Sequence, residues 1–209
     1  MRLYTYVVAR DFGFAPNPFH GVCTLATCKP RIRAKATVGD WVVGTGSKSL
    51  GQQGRLVFAM EVTETLSYEE YWREPRFGAK RPNLSGSLKQ AFGDNIYHRD
   101  PGSGEWLMAN SHHSLTDGRP NPQNVSHDTQ SERVLVSMSF TYWGGLGPAV
   151  PARFAKLVCP GQGHRCNFPQ ELVDDFVAWQ RSRERGYCGR PLEWIEGRAL
   201  RRPAAGPLS

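Results

Sequence analysis

Residues 38–63, VGDWVVGTGSKSLGQQGRLVFAMEVT, decide the fold. Val38-Gly39-Asp40 is a turn signal, Trp41 to Thr45 is bulky and β-branched, and Arg55 to Val62 is apolar at nearly every position. Such residues fit a pleated surface, and a strand apolar on both faces fits a small, fully covered barrel. Gly51-Gln52-Gln53-Gly54 is too short and turn-like to be a crossover helix. Strands at 40–45 and 55–63 are therefore predicted to be antiparallel neighbours.

Toward the N-terminus the pattern predicts a strand at 3–9 and an extended segment at 22–27. Pro16 and Pro18 flank Asn17 between them, and two prolines so placed make an ordered loop instead of a helix. Lys29, Arg31, Arg33 and Lys35 alternate with other residues. If that run is extended, all four share one strand face, a stripe suited to phosphates or simply to solvent. On the other side, a helix is expected around 67–73 and a half-buried strand over 134–140. A longer helix is expected over 167–185, capped by Asn167, with Pro169 in its first turn and Arg181, Arg183 and Arg185 near its end.

Residues 74–131 are dense in Gly, Pro, Asn, Ser and His and poor in apolar residues. A loop-rich insertion of that length in a compact domain is usually functional. The expected organisation is a domain over 1–150 carrying this insertion, a helical extension over 151–196 packed on it, and a Pro/Ala/Arg-rich flexible tail over 197–209.

Composition narrows the function classes. The 209 residues carry a formal net charge of +7, and hydrophobic content of 39% excludes wholesale disorder. The charge is uneven: residues 1–60 hold eight Lys/Arg against two Asp/Glu, while 61–140 hold eight against eleven. No apolar run approaches a membrane span and the first residues lack a signal-peptide pattern, so a cytoplasmic protein is expected. Five cysteines cannot all pair within the chain, and reduced thiols are favoured over a disulfide framework. Neither a phosphate-cradling GXXXXGK[ST] nor a GXGXXG opening a helix occurs, which argues against ATP hydrolysis and dinucleotide binding, and no cofactor is called for.

Two polar groups in the insertion carry candidate chemistry. Gly93-Asp94-Asn95-Ile96-Tyr97-His98 puts a carboxylate, an amide and two rings together, as a base-binding wall or as a turn before a strand. Ser111-His112-His113-Ser114, with Asp117 and then His127 and Asp128, is the densest polar cluster. Asp94, His112, His113 and Asp128 are the candidates for proton transfer, although the spacing matches no standard hydrolase or zinc pattern. Cys159, His164, Cys166 and Cys188 are a weak candidate set for zinc, the spacing being irregular. Cys28 has a cation beside it, the setting of a nucleophilic thiol, yet no general base stands near it in sequence, and a packed cysteine is the competing reading.

The runs RIRAKATVGDWVVGTGS and GRLVFAMEVTETLSYEEYW resemble, in order and spacing, the barrel of the EVE domain, a PUA-like fold whose members bind modified bases in nucleic acid. YTYVVARDFGFAPNPF, TLATCKP, GDWVVGTGS, FGDNIYH, SHHS and FTYWG together resemble the bacterial and phage group called nucleotide modification associated domain 2, over roughly residues 3 to 150. The resemblance implies an α+β fold with a small PUA-like barrel and a role in nucleic-acid modification or defence. It also implies a base pocket, with Trp41 or Trp143 and Tyr97 stacking, Ser47 and Asn95 reading the base edge, and Lys29, Arg31, Arg33 and Lys35 holding phosphates. The expected partner is nucleic acid or a modified nucleotide. An enzyme that modifies or removes a base, and a protein-binding scaffold, are the alternatives.

Overall fold

The computed structural model describes residues 1–195. The elements follow in chain order: β1 (Leu3–Val8), β2 (Cys23–Leu25), α1 (Pro30–Lys35), β3 (Trp41–Gly46), β4 (Leu56–Glu61), β5 (Glu64–Ser67), α2 (Tyr68–Arg73), α3 (Leu88–Ala91), β6 (Tyr97–Arg99) and β7 (Trp106–Met108). Then come α4 (Pro122–Asp128), β8 (Arg133–Ser137), β9 (Ser139–Tyr142), β10 (His164–Arg165), α5 (Gln170–Arg181), β11 (Gly186–Tyr187) and α6 (Leu192–Ile195).

The fold is mixed α+β. A six-stranded sheet has the order β10-β1-β3-β4-β9-β11, a three-stranded sheet the order β2-β8-β5, and β6 and β7 pair separately. Strands β3 and β4 are antiparallel neighbours as expected, with Trp41 opposite Glu61 and Val43 opposite Ala59. The register shifts between Gly44 and Thr45, where Val57 is the extra residue on β4, and the Phe58 ring lies against Gly44: a Cβ built there would sit 2.2 Å from Phe58 Cε1. Strand β1 runs parallel to β3, so β2 and α1 lie on the crossover between them.

The closed barrel is not formed among the described residues. The chain instead passes twice between two open sheets, from β4 to β5 through Val62 and Thr63, and from β8 to β9 through Met138. Met138 is 66% exposed, so the single strand expected over 134–140 bends there and changes sheet.

Both faces of the large sheet are covered, which is why its central strands read as continuous apolar runs. Trp41 and Val43 join Leu3, Ala59, Phe154 and the Val173, Phe176 and Val177 face of α5 in one core. On the opposite face Val42 packs with Tyr4, Tyr6, Phe58, Met60 and Ile32. A third core holds Tyr68, Tyr71, Phe77, Ile96, Tyr97 and Val134, beneath the polar insertion. That insertion is not structureless, since it carries α3, the β6–β7 hairpin and α4.

Two helix readings change. Residues 30–35 are helical, not extended: Pro30 occupies the first turn, where its fixed φ suits a helix, and Ile32 and Arg33 turn inward. The basic stripe is thereby broken, with Arg33 fully buried and Arg31 and Lys35 exposed. Helix α5 starts at Gln170 with Pro169 as its N-cap, so Asn167 does not cap it. Helix α2 begins where expected, under a capping box in which Ser67 accepts from the Glu70 backbone and Glu70 accepts from the Ser67 backbone. The expected tail at 197–209 lies outside the described residues.

Candidate active site

Cys28 and Lys29, between β2 and α1, adopt left-handed backbone with φ of 57° and 42°. Neither is glycine, so this turn is held by its surroundings. Arg33 supplies the hold. Its guanidinium donates to four backbone carbonyls: Nε to Cys28 O at 2.8 Å, Nη1 to Ser131 O at 2.6 Å and Arg133 O at 2.7 Å, and Nη2 to Asp128 O at 2.6 Å. One buried side chain thus ties the Cys28 turn to the end of α4 and the start of β8.

Asp128, the last residue of α4, is fully buried and accepts three donors. The Cys28 backbone N–H lies 2.7 Å from Oδ1, the Tyr97 hydroxyl 2.9 Å from Oδ2, and His113 Nδ1 3.0 Å from Oδ2. The other ring nitrogen of His113, Nε2, lies 3.8 Å from Cys28 Sγ. Thiol, imidazole and carboxylate therefore stand in line, and the carboxylate assigns the tautomer: Nδ1 carries hydrogen and Nε2 faces the sulfur. His113 is held from outside as well, its carbonyl accepting from Asn124 Nδ2 at 2.7 Å and its ring lying 4.6 Å from that of Phe14.

The electrostatics favour the charged forms of His113 and Asp128. Burial alone would suppress the imidazolium of His113, but the charges and hydrogen bonds of Cys28 and Asp128 outweigh it and push the group up to about 10. For Asp128 burial acts to raise the carboxyl, yet the His113 hydrogen bond and charge, with Arg33 and the Cys28 N–H, hold it below its ordinary value. Cys28 itself is half-buried. The hydroxyl of its neighbour Thr27 is buried and has no hydrogen-bond partner.

The remaining expected site residues lie elsewhere. His112 is enclosed by Phe12, Phe14 and Phe92 and burial drives it down to about 3, which keeps the ring neutral as a packing group. Asp94 accepts from Thr24 at 2.7 Å and Tyr71 at 2.8 Å, in a buried network with Lys80, whose ammonium donates to both oxygens of Asn17 and to Thr24. Burial pushes Lys80 down to about 8 and raises Asp94. Trp41 and Trp143 sit in the core under α5, and Tyr97 lies in the core beneath the insertion. Asn95 is fully buried, its amide donating to Tyr71 O at 2.9 Å and Phe77 O at 3.4 Å, while the Ser47 hydroxyl lies 3.0 Å from that of Ser49.

The cysteines of the C-terminal part do not gather. Cys159 is directed to Gly161 O, Cys188 to Gly186 O, and Cys166 is exposed. Among the described residues no group of three or more His, Cys, Asp or Glu is placed to hold a metal ion. Nor is any described helix long and apolar enough to cross a membrane.

Of the four proton-transfer candidates, the structure brings His113 and Asp128 together and adds Cys28, whose base was invisible at a separation of 85 residues. The signal available in sequence was a cysteine with a cation beside it and, far away, a histidine and an aspartate in a polar insertion. No curated protein and no solved structure matches the chain. The family model of nucleotide modification associated domain 2 matches residues 1–198, and by that extent the chain belongs to this family, which associates it with nucleotide-modification systems.

Proposed function

We propose that the chain is a thiol-dependent enzyme of a nucleotide-modification system, in which Cys28 is the nucleophile, His113 the general base and acid, and Asp128 the group that orients and stabilises the imidazolium. The observation that carries this reading is the row Sγ–Nε2 at 3.8 Å and Nδ1–Oδ2 at 3.0 Å. With the Cys28 proton held on His113 Nε2 and the imidazolium stabilised by Asp128, the thiolate forms an S–C bond to an electrophilic carbon, whose π electrons move onto the atom doubly bonded to it. His113 then gives the proton to the leaving atom as its bond to the carbon breaks and the π bond re-forms; an acceptor carrying a proton next bonds to the carbon, its proton returning to His113 Nε2, and the S–C bond breaks to restore the Cys28 thiolate. The substrate class is a nucleotide, or the acyl or amide group to be joined to or removed from one.

The alternative of a modified-base reader, which the likeness to EVE and PUA-like domains implies, rests on Trp41, Ser47, Asn95, Tyr97 and Trp143. All five are buried; the Asn95 NH2, the Tyr97 hydroxyl and the Ser47 hydroxyl bond to protein groups, while Asn95 Oδ1 and Trp41 Nε1 are buried without a partner, and it is the burial of all five that favours thiol chemistry. Alkylation of the intact protein with iodoacetamide, followed peptide by peptide, tests the proposal. Cys28 is expected to label at pH 6 at least about tenfold faster than exposed Cys166, an advantage abolished in His113→Gln. Equal rates for Cys28 and Cys166 would overturn it.

A further inference from the structure

A second site lies at the other end of the β2–β8 ladder. Cys23 pairs with Ser137 and Leu25 with Leu135. Cys28 follows the Leu25 end, whereas a cleft of about 530 Å³ opens beyond the Cys23 end, where Gly21 and Met138 line it. That volume lies in the range of roughly 300–1,000 Å³ usual for small-molecule sites. Half-buried Tyr187 supplies the aromatic wall, with Phe19 and Phe140 almost fully buried behind it, and Lys89, Arg185 and His20 are the ionisable nitrogen groups, with no carboxylate in the lining.

The cations are unneutralised. Among the described residues, neither the Lys89 ammonium nor the Arg185 guanidinium has an ion pair or hydrogen bond, and Lys89 is held only over the Tyr187 ring, 5.0 Å from its centroid and within the reach of about 6 Å of such a contact. Tyr187 is itself fixed, stacked on Tyr142 at 9° and met edge-on by Phe19. Phe19 is stacked in turn on Trp194, so the wall is braced from behind. His20, at the rim, has φ of 62°, a left-handed conformation uncommon outside glycine. Burial and the charges of Lys80 and Lys89 lower its imidazole below the ordinary value, so it stands as a neutral donor or acceptor beside two positive charges.

We infer that this cleft binds a nucleotide, with the aromatic wall taking the base and Lys89 and Arg185 the phosphate. An apolar pocket alone would take any flat molecule, and the paired cations without a carboxylate select one that carries an anion. The site is distinct from the thiol row and stands whether or not Cys28 is a nucleophile. A free nucleotide and a nucleotide within a strand share this chemistry.

Calorimetric titration of the full chain tests it, with cytidine monophosphate, cytidine, inorganic phosphate and a short single-stranded oligonucleotide as probes. The monophosphate is expected to bind saturably and at least about tenfold more tightly than either cytidine or phosphate alone. Lys89→Gln with Arg185→Gln should weaken it by more than about tenfold at unchanged melting temperature, both side chains being exposed, and Cys28→Ala should leave it unchanged. Tighter binding of the oligonucleotide with the same variant sensitivity assigns the site to a strand, and tighter binding of the monophosphate assigns it to a free nucleotide. Monophosphate affinity no better than that of phosphate, or undiminished in the doubly neutralised variant, overturns the inference. Loss of binding in Cys28→Ala would overturn the separation of the two sites.

Discussion

Replacing Asp128 by Asn changes one charge and almost no volume, and the geometry says what should follow. If the Asn oxygen keeps the Cys28 N–H now at 2.7 Å, its NH2 group takes the place of Oδ2 and faces Tyr97 and His113. The Tyr97 hydroxyl can rotate and accept. The imidazole can accept only by moving its hydrogen from Nδ1 to Nε2, and an Nε2–H pointed at Cys28 cannot take the thiol proton. The variant therefore removes charge assistance from all three hydrogen bonds of residue 128, of which the one to His113 alone is worth about 1.5–3 kcal/mol, together with the orientation of the His113 ring toward Cys28. At about 1.4 kcal/mol per decade, Cys28 alkylation by iodoacetamide at pH 6 should fall roughly tenfold to a hundredfold. Its rate should then rise with pH in parallel with that of exposed Cys166. Peptide-resolved mass spectrometry of labelling from pH 5 to 10 gives both curves from one sample. Identical Cys28 rates in wild type and Asp128→Asn at pH 6, in a variant that still unfolds cooperatively, would refute the reasoning.

Two further outcomes follow from the packing. Because His113 is pushed up to about 10 in the folded protein against about 6.5 unfolded, the stability it contributes is fully present below pH ~6.5 and is lost as pH rises toward about 10. Urea unfolding of His113→Gln should thus differ most from wild type near pH 6 and converge on it at alkaline pH, and a difference that is flat or grows with pH would contradict the assignment. Gly44→Ala places a Cβ 2.2 Å from Phe58 Cε1 and 2.7 Å from Val8 Cγ2, so it should destabilise by about 1–3 kcal/mol. Phe58→Leu in the same chain should recover part of the loss, and a neutral Gly44→Ala would show that the sheet gives way there.

The central pair β3–β4 was legible because its causes are local. The glycine-bounded loop fixes antiparallel pairing, and residues apolar on both faces describe a sheet covered twice, as it is by the cores around Trp41 and around Val42. Strand closure was not legible, because whether a sheet curls shut depends on where its strands bend, and Thr63 and Met138 carry no composition that announces a bend. The alternating cations at 29–35 read as a strand stripe because alternation is a period-2 signal. What decided the structure was Pro30 and the four carbonyls that close around Arg33, which belong to residues 28, 128, 131 and 133 and are brought together only by the fold. Asn95 shows the same dependence on the fold, since an amide among Asp94, Tyr97 and His98 looks like a reader of a base edge, while in the structure its NH2 donates to the carbonyls of Tyr71 and Phe77 and its Oδ1 is buried without a partner.

The same tertiary convergence bears on why the Cys28 row exists. A buried ion pair is weak support for stability, because well-packed apolar residues of similar volume serve as well or better. Asp128 and His113 are both buried in a core that otherwise holds Tyr68, Tyr97, Phe14 and Ile96, so stability alone would favour apolar residues there. Moreover, Arg33 and the left-handed turn at Cys28 and Lys29 add a second buried cation and two strained residues at the same place. These costs fall on one small volume, and they share one result: the sulfur of half-buried Cys28 is held beside an imidazole, with a carboxylate behind the imidazole. A structural role accounts for each feature separately but not for their meeting at a thiol, whereas nucleophilic chemistry requires the whole row at once.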